Sequence, residues 1–293
     1  MGEKPRPRPQ GVYGGADHPF RTRDTKVTAN RSALPAHPTD RGRHPRGETV
    51  VRVERHPSTA LLESDITEYR EEGVVCVPRL LSGESLIHAR EAAWEAYRYE
   101  AEPWWDERGM TVLQGAGDWH SDRTLRDLVL GPLGEAAAAL VGGRVRLFTG
   151  GFLFLEPHRD TPTVRHSDAP YDPYDATETI TAWIALSDIP EERGCLSCLP
   201  RSHRDRGLVP ILRGPSVTLP LAAGDGVFHN GRTVRWAGGN TTEEPRIVVF
   251  ARYMAADAIY NGRPDAITDP LGLTVGHPLG GAHFPLITGA LHD

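Results

Sequence analysis

The tripeptide His166-Ser-Asp168 is the local pattern best suited to chemistry in this chain of 293 residues. If the segment is extended, residues two apart project from the same face, so the imidazole and the carboxylate could reach one metal ion. Imidazole together with carboxylate is a ligand set that suits Fe(II). Alone the pattern is weak, because His158-Arg-Asp160 repeats it nearby and a polar surface loop could carry the same residues.

Residue usage excludes or disfavours several other chemistries. Lys4 and Lys26 are the only lysines, so the body of the chain has neither a Schiff-base lysine nor a phosphate-binding P-loop. Any anionic ligand must then be held by arginine, a helix N-terminus or a metal ion. Cys195 and Cys198 have CxxC spacing, but no second pair or pair of histidines accompanies them, so a structural role is favoured over metal or redox chemistry.

The predicted secondary structure changes from helices to strands near residue 144, and these elements must position the residues named above. Before it, helical spacing predicts helices over 84–100 and 125–141. After it, Gly, Pro, Asp and Asn separate short strand-like runs, which cover residues 145–148, 152–155, 180–186, 216–219, 226–229 and 246–253. Many short strands without intervening helices indicate a closed β-sandwich or barrel rather than a Rossmann-type sheet.

Residues 1–60 differ from the rest of the chain. They contain twelve Lys and Arg against six Asp and Glu, eight prolines and almost no apolar periodicity. Such a segment cannot bury much surface, which predicts a basic, Pro-rich mobile tail followed by one folded domain over 61–293. Because the charges of both signs are mixed, a solvated tail is favoured over an arm that binds nucleic acid.

The whole-chain charge and hydropathy narrow the possible partners. The net charge is −6 and the pI is near 6.1, which does not suggest a nucleic-acid or membrane-surface protein. No apolar run is long enough to span a bilayer, and the first residues have no apolar core of a secretory signal. We therefore expect a cytoplasmic protein with no membrane or nucleic-acid partner; its oligomeric state is left open.

A series of short motifs in a fixed order resembles the phytanoyl-CoA dioxygenase family of Fe(II)/2-oxoglutarate oxygenases. The motifs are Tyr69–Pro78, Ile180–Pro190, Glu192–His203, Gly224–Val234, Gly239-Asn240, Pro245–Met254, Tyr260–Pro264 and Asp269–Leu273. The resemblance covers about residues 61–288 and implies a mainly β (α+β) fold with a helical cap. Its core would be a double-stranded β-helix, a cupin-like jelly roll, over 144–256, with helices over 61–143 and an extension over 257–293.

The resemblance also implies roles for individual residues. His166 and Asp168 match the first two protein ligands of Fe(II), and Arg246 matches the arginine that holds 2-oxoglutarate. A guanidinium forks onto a carboxylate and stays charged, which suits that role on chemical grounds as well. Thr181 and Trp183 alternate onto one strand face, which in the family runs beside the cosubstrate, although Trp183 could equally be a core residue.

The sequence departs from the family at the third metal ligand. The distal histidine falls at Arg235, and Arg235 keeps the family's spacing to Arg246. A guanidinium has no lone pair to offer a metal. Three explanations stay open: His229 substitutes as a ligand, His166 and Asp168 hold iron with only 2-oxoglutarate and water, or the site no longer binds iron and Arg235 binds an anion.

We therefore expect an Fe(II)/2-oxoglutarate-dependent oxygenase that oxidises a C–H bond of a small organic molecule, with His166, Asp168 and Arg235 at its catalytic centre. The alternative is a family member without iron that catalyses a redox-neutral reaction, such as cyclisation or isomerisation, or only binds a ligand. Fold alone does not decide between them, because function depends on the site.

Overall fold

The computed structural model describes residues 48–50, 61–100, 102–104, 113–116, 118–205 and 215–288, and the predicted tail otherwise lies outside these residues. The helices are α1 (Glu63–Glu72), α2 (Gly83–Glu100), α3 (Arg123–Leu130) and α4 (Pro132–Val141). The strands are β1 (Glu48–Val50), β2 (Val74–Val77), β3 (Glu102–Trp104), β4 (Leu113–Ala116), β5 (Val145–Leu155), β6 (Tyr174–Asp175), β7 (Thr179–Ala185), β8 (Leu196–Cys198), β9 (Ser216–Leu219), β10 (Gly226–Asn230), β11 (Arg235–Ala237), β12 (Arg246–Ala255), β13 (Ile259–Tyr260) and β14 (Leu286–Ile287).

Two facing sheets form the predicted jelly roll. The larger sheet has the order β2-β10-β7-β12-β5-β4-β3, with β14 also paired to β5, and the smaller has the order β1-β9-β8-β11. All of these pairings are antiparallel except that of β1 with β9. The fold class expected from the sequence is confirmed, a mainly β structure with its helices before the barrel.

The helices differ from the sequence-based expectation at one point. A single helix was predicted over 125–141, but the structure has α3 and α4 with Gly131 between them. Pro132 has no backbone N–H to continue the hydrogen-bond ladder of α3 and is well suited to the first turn of a new helix. The new helix, α4, is rich in alanine and packs six buried residues against the outer side of the large sheet.

Alternate residues of β12 face two different apolar clusters, one shared with the helices and one inside the barrel. Ile247, Val249 and Ala251 belong to the apolar cluster shared with the helices, whereas Val248 and Phe250 belong to the cluster inside the barrel. Because alternate residues share a face, the two arginines of β12, at positions 246 and 252, have the same inward orientation as Val248 and Phe250. Strand alternation thus places the side chains of both arginines inside the barrel.

No helix in the described part of the chain is long and apolar enough to cross a membrane.

Candidate functional site

The segment that carries His166 and Asp168 runs beside β11. His166 donates its backbone N–H to the Arg235 carbonyl at 3.0 Å, and Arg235 returns the bond at 2.8 Å. These two residues therefore face each other as an antiparallel bridge. Arg235 is therefore the residue directly opposite His166.

Arg235 forms an ion pair with Asp168. Its Nη2 lies 2.8 Å from Asp168 Oδ1, and the two side chains are 15% and 12% exposed. The second carboxylate oxygen accepts a hydrogen bond from Thr181 Oγ1 at 3.2 Å. Burial alone would raise the pKa of Asp168, but Arg235, then Arg252 and His229, outweigh it and hold that pKa well below its usual range. Asp168 is therefore a fixed anion that already has a cationic partner.

The His166 ring is oriented by the backbone. Its Nδ1 lies 2.8 Å from the Val164 carbonyl, a distance at which Nδ1 donates a proton. The lone pair is then on Nε2, which is the tautomer used when a histidine binds a metal through that atom. His166 thus retains the form expected of a metal ligand.

His229 shares this interior but does not complete a metal site. It lies on β10 opposite Thr181, is fully buried, and its Nδ1 lies 3.2 Å from the Asn230 carbonyl. Burial, with a further contribution from Arg235, lowers the pKa of His229 to about 3, so the ring is neutral. Among the described residues no three His, Cys, Asp or Glu side chains are placed to share a metal ion, so this arrangement does not support His229 as the substitute ligand.

Arg246 is a buried cation that forms no ion pair with any carboxylate of the described residues. Its side chain is 1% exposed, it donates from Nη1 to the Gly194 carbonyl, and its guanidinium lies 5.5 Å from the centre of the Trp183 ring. Its Nε has no hydrogen-bond partner among the described residues. Burial lowers the pKa of Arg246 to about 10. Since an unpaired buried charge is costly, the pocket around Arg246 fits a carboxylate such as that of 2-oxoglutarate.

A second ion pair in the barrel was not found from the sequence. Arg252 lies opposite Thr181 in the register of β12 and β7, and its Nη2 pairs with the buried carboxylate of Asp172. Burial raises the pKa of Asp172 to about 6, although Arg252 opposes that shift. Counting inward positions along β12 from Arg246 would have identified Arg252, because every second residue faces the interior.

The side chains of this site fit 2-oxoglutarate more completely than they fit iron. Arg246 remains available for a carboxylate, and His166 and Asp168 remain as two metal ligands. Position 235 supplies a cation in place of the third ligand, and that cation occupies one oxygen of Asp168. The residues therefore fit a metal held by two protein ligands, with the cation of Arg235 competing for Asp168.

The two cysteines of the CxxC pattern belong to the apolar interior. Cys195 and Cys198 are buried and unbridged in the cluster inside the barrel. Burial raises the pKa of each thiol to about 12, so neither carries a thiolate at neutral pH. This environment agrees with a structural role.

Comparison with known proteins identifies similar sequences and structures. Residues 69–248 match the phytanoyl-CoA dioxygenase (PhyH) family. The epimerase SnoN, in complex with Fe3+, α-ketoglutarate and nogalamycin RO, is 35% identical, with 76% of this chain and 97% of that chain covered and a TM-score of 0.69. The α-ketoglutarate-dependent carbocyclase SnoK from nogalamycin biosynthesis is also 35% identical, with 78% and 97% covered and a TM-score of 0.70.

A more distant structure shares the fold. EvdO2 from Micromonospora carbonacea var. aurantiaca, complexed with 2-oxoglutarate, is 23% identical, with 74% of this chain and 97% of that chain covered and a TM-score of 0.56. No curated protein sequence matches the chain.

Proposed function

Because this chain belongs to the phytanoyl-CoA dioxygenase family, whose relatives of known structure are 2-oxoglutarate-dependent non-heme iron enzymes, we propose that it is a 2-oxoglutarate-dependent enzyme acting on a small organic molecule. The observation that carries the proposal is Arg246. This arginine is buried and has no carboxylate partner among the described residues, and the sequence resemblance matches it to the arginine that holds 2-oxoglutarate. A buried guanidinium without a carboxylate partner is stabilised when an anionic ligand binds to it.

The leading function is oxidation of a C–H bond. His166 and Asp168 would hold the iron, which together with 2-oxoglutarate would activate O2, the oxidant of the C–H bond, while 2-oxoglutarate is converted to succinate and CO2. The protein's own contribution is to orient these two ligands, since the Val164 carbonyl fixes the ring of His166 and Thr181 holds one oxygen of Asp168. Arg246 and Trp183 would hold and shield the distal carboxylate of the cosubstrate.

The second candidate is a redox-neutral reaction, such as cyclisation or isomerisation, or ligand binding without turnover. The specific observation that favours it is the ion pair between Arg235 and Asp168, which satisfies the carboxylate without a metal. The similar structures include both an epimerase and a carbocyclase, so enzymes of this fold catalyse more than one reaction type.

The substrate class and cellular setting follow as parts of the same proposal. SnoN is in complex with nogalamycin RO, which supports a small organic substrate for this chain as well. The three cysteines within the described residues are free, which supports a reducing compartment and hence the cytoplasm. The net charge of −6 supports a function without a nucleic-acid partner.

An anaerobic titration separates the two candidates. Metal-free protein is titrated with Fe(II), with and without 2-oxoglutarate, and the visible charge-transfer band of chelated 2-oxoglutarate is followed. A band that appears and saturates supports the oxygenase, and succinate released in air would extend the result to turnover. If no band appears in the natural protein while Arg235→His restores it, the oxygenase proposal fails and the redox-neutral candidate stands.

A further inference from the structure

The inside of the barrel has an excess of positive charge without any metal. Within the part of the chain that the structure describes, three arginines face it, at positions 235, 246 and 252, with exposed side-chain fractions of 23% or less. Two of them are neutralised, because Arg235 pairs with Asp168 and Arg252 pairs with Asp172. Arg246 has no carboxylate partner among the described residues. The protein alone therefore presents one uncompensated cation to a ligand in this space.

A second donor in the same interior is also unsatisfied. Arg235 uses Nη2 for Asp168, but its Nη1 is buried and has no hydrogen-bond partner among the described residues. Since an unsatisfied buried donor costs free energy, Nη1 favours a ligand that supplies an acceptor atom. Arg235 and Arg246 thus each offer an unused N–H group to the interior.

Strand β7 relates the positions of the two arginines. Thr181 contacts Asp168, the partner of Arg235, and Trp183 lies 5.5 Å from the guanidinium of Arg246. Thr181 and Trp183 are two residues apart on one face, a rise of about 6.6 Å along the strand. Both arginines therefore lie along one face of β7, so we infer a ligand with an acceptor group at each end, such as a short dicarboxylate or keto diacid.

We propose that this site binds 2-oxoglutarate, or another short dicarboxylate, without a metal ion. Arg235 neutralises Asp168 without a metal, so the incoming anion meets no uncompensated carboxylate at that end of the site. With a neutral histidine at position 235, Asp168 would repel the anion until a metal cation entered. The substitution therefore makes carboxylate binding independent of metal. This inference rests on the proposed function for the role of Arg246 in carboxylate binding.

Isothermal titration calorimetry of the full chain, freed of metal and kept in chelator at pH 8, tests the inference directly. We expect saturable binding of 2-oxoglutarate and of glutarate, which lacks the keto group. Arg246→Met is expected to weaken binding at least tenfold, since charge-assisted hydrogen bonds are lost. The matched control is Arg232→Met, which removes the same charge from the exposed turn after β10 and is expected to leave affinity unchanged.

Arg235→His provides the decisive comparison. In chelator this variant is expected to lose binding of 2-oxoglutarate, and added Mn(II) is expected to restore it, whereas the natural protein binds with chelator present. The inference is overturned if the natural protein also requires Mn(II), or if Arg232→Met weakens binding as much as Arg246→Met does. The melting temperature of each variant identifies any that has failed to fold.

The outcomes also separate this inference from the proposed oxygenase. Binding in chelator, without an iron charge-transfer band, supports the inference while the oxidative function fails. An iron-dependent band without any binding in chelator supports the oxygenase and overturns the inference. If 2-oxoglutarate does not bind either with or without metal, both this inference and the proposed oxygenase function fail.

Discussion

The ion pair between Arg235 and Asp168 should contribute measurably to the stability of the metal-free protein. Removing one partner of a buried ion pair costs about 3–5 kcal/mol, because the remaining charge is left without compensation. Here the side chains are 15% and 12% exposed, and Asp168 keeps its hydrogen bond from Thr181. We therefore expect Arg235→Gln to lower the free energy of unfolding by about 3 kcal/mol, at the lower end of that range.

The contribution of this ion pair to the stability of the fold should decrease as the pH falls. The pKa of Asp168 is lowered in the folded state, whereas an unfolded aspartate has a pKa of about 3.9. A carboxyl of this kind stabilises the fold above its unfolded pKa, and the contribution is lost as the pH falls towards the folded pKa. The difference in the free energy of unfolding between the natural protein and Arg235→Gln should thus be largest at pH 7 and should shrink below about pH 4.

Urea unfolding of a double-mutant cycle measures the pair itself. The set comprises Arg235→Gln, Asp168→Asn and the double variant, all in chelator, with Arg232→Gln as the control for loss of an exposed arginine. We expect a coupling free energy of about 2–3 kcal/mol and a melting temperature for Arg235→Gln lower by about 6–12 °C. A coupling free energy below about 0.5 kcal/mol would refute the argument that Arg235 neutralises Asp168.

Three further residues give independent tests. Asn240, fully buried, donates to three carbonyls and accepts from the N–H and the hydroxyl of Thr242, so Asn240→Ala should cost about 3 kcal/mol by urea unfolding. Tyr253 donates to the Val129 carbonyl at 2.7 Å, so Tyr253→Phe should cost about 1 kcal/mol in the same assay, and no loss would contradict that bond. His229 has a folded pKa of about 3, below its unfolded value, so the natural protein should lose about 1.4 kcal/mol per pH unit as the pH falls below about 6.5. His229→Asn should flatten that slope, and equal slopes would contradict burial of a neutral ring.

The backbone placement of the site could be predicted from the sequence, whereas the side-chain pairing could not. The spacing between Arg235 and Arg246 predicts that residue 235 lies beside His166 and Asp168, and the structure has residue 235 directly opposite His166. The contact of Arg235 with Asp168 joins residues 67 positions apart, and nothing local indicates it. The unsatisfied Nη1 of Arg235 is likewise a property of the packed interior.

Other differences have simple physical origins. The break between α3 and α4 follows from Pro132, a local signal that helical spacing alone did not weigh. The single long β5 joins two predicted runs, because Gly150 and Gly151 continue the strand where glycine is usually an interruption. The pair of Arg252 with Asp172 was missed because the motif that contains Arg252 says nothing of its partner, although alternation along β12 already placed Arg252 inside the barrel.

The geometry also explains how one substitution could change the chemistry of the site while preserving the fold. Residues 166 and 235 are joined by two backbone hydrogen bonds, which any pair of residues other than proline could form. The barrel therefore holds the backbone of residue 235 opposite His166 whatever its side chain is. A histidine there would donate a lone pair to a metal, whereas arginine donates protons to the carboxylate. On the inference proposed above, the choice between a metal centre and a metal-free anion site would depend on this side chain, within a backbone that accepts both.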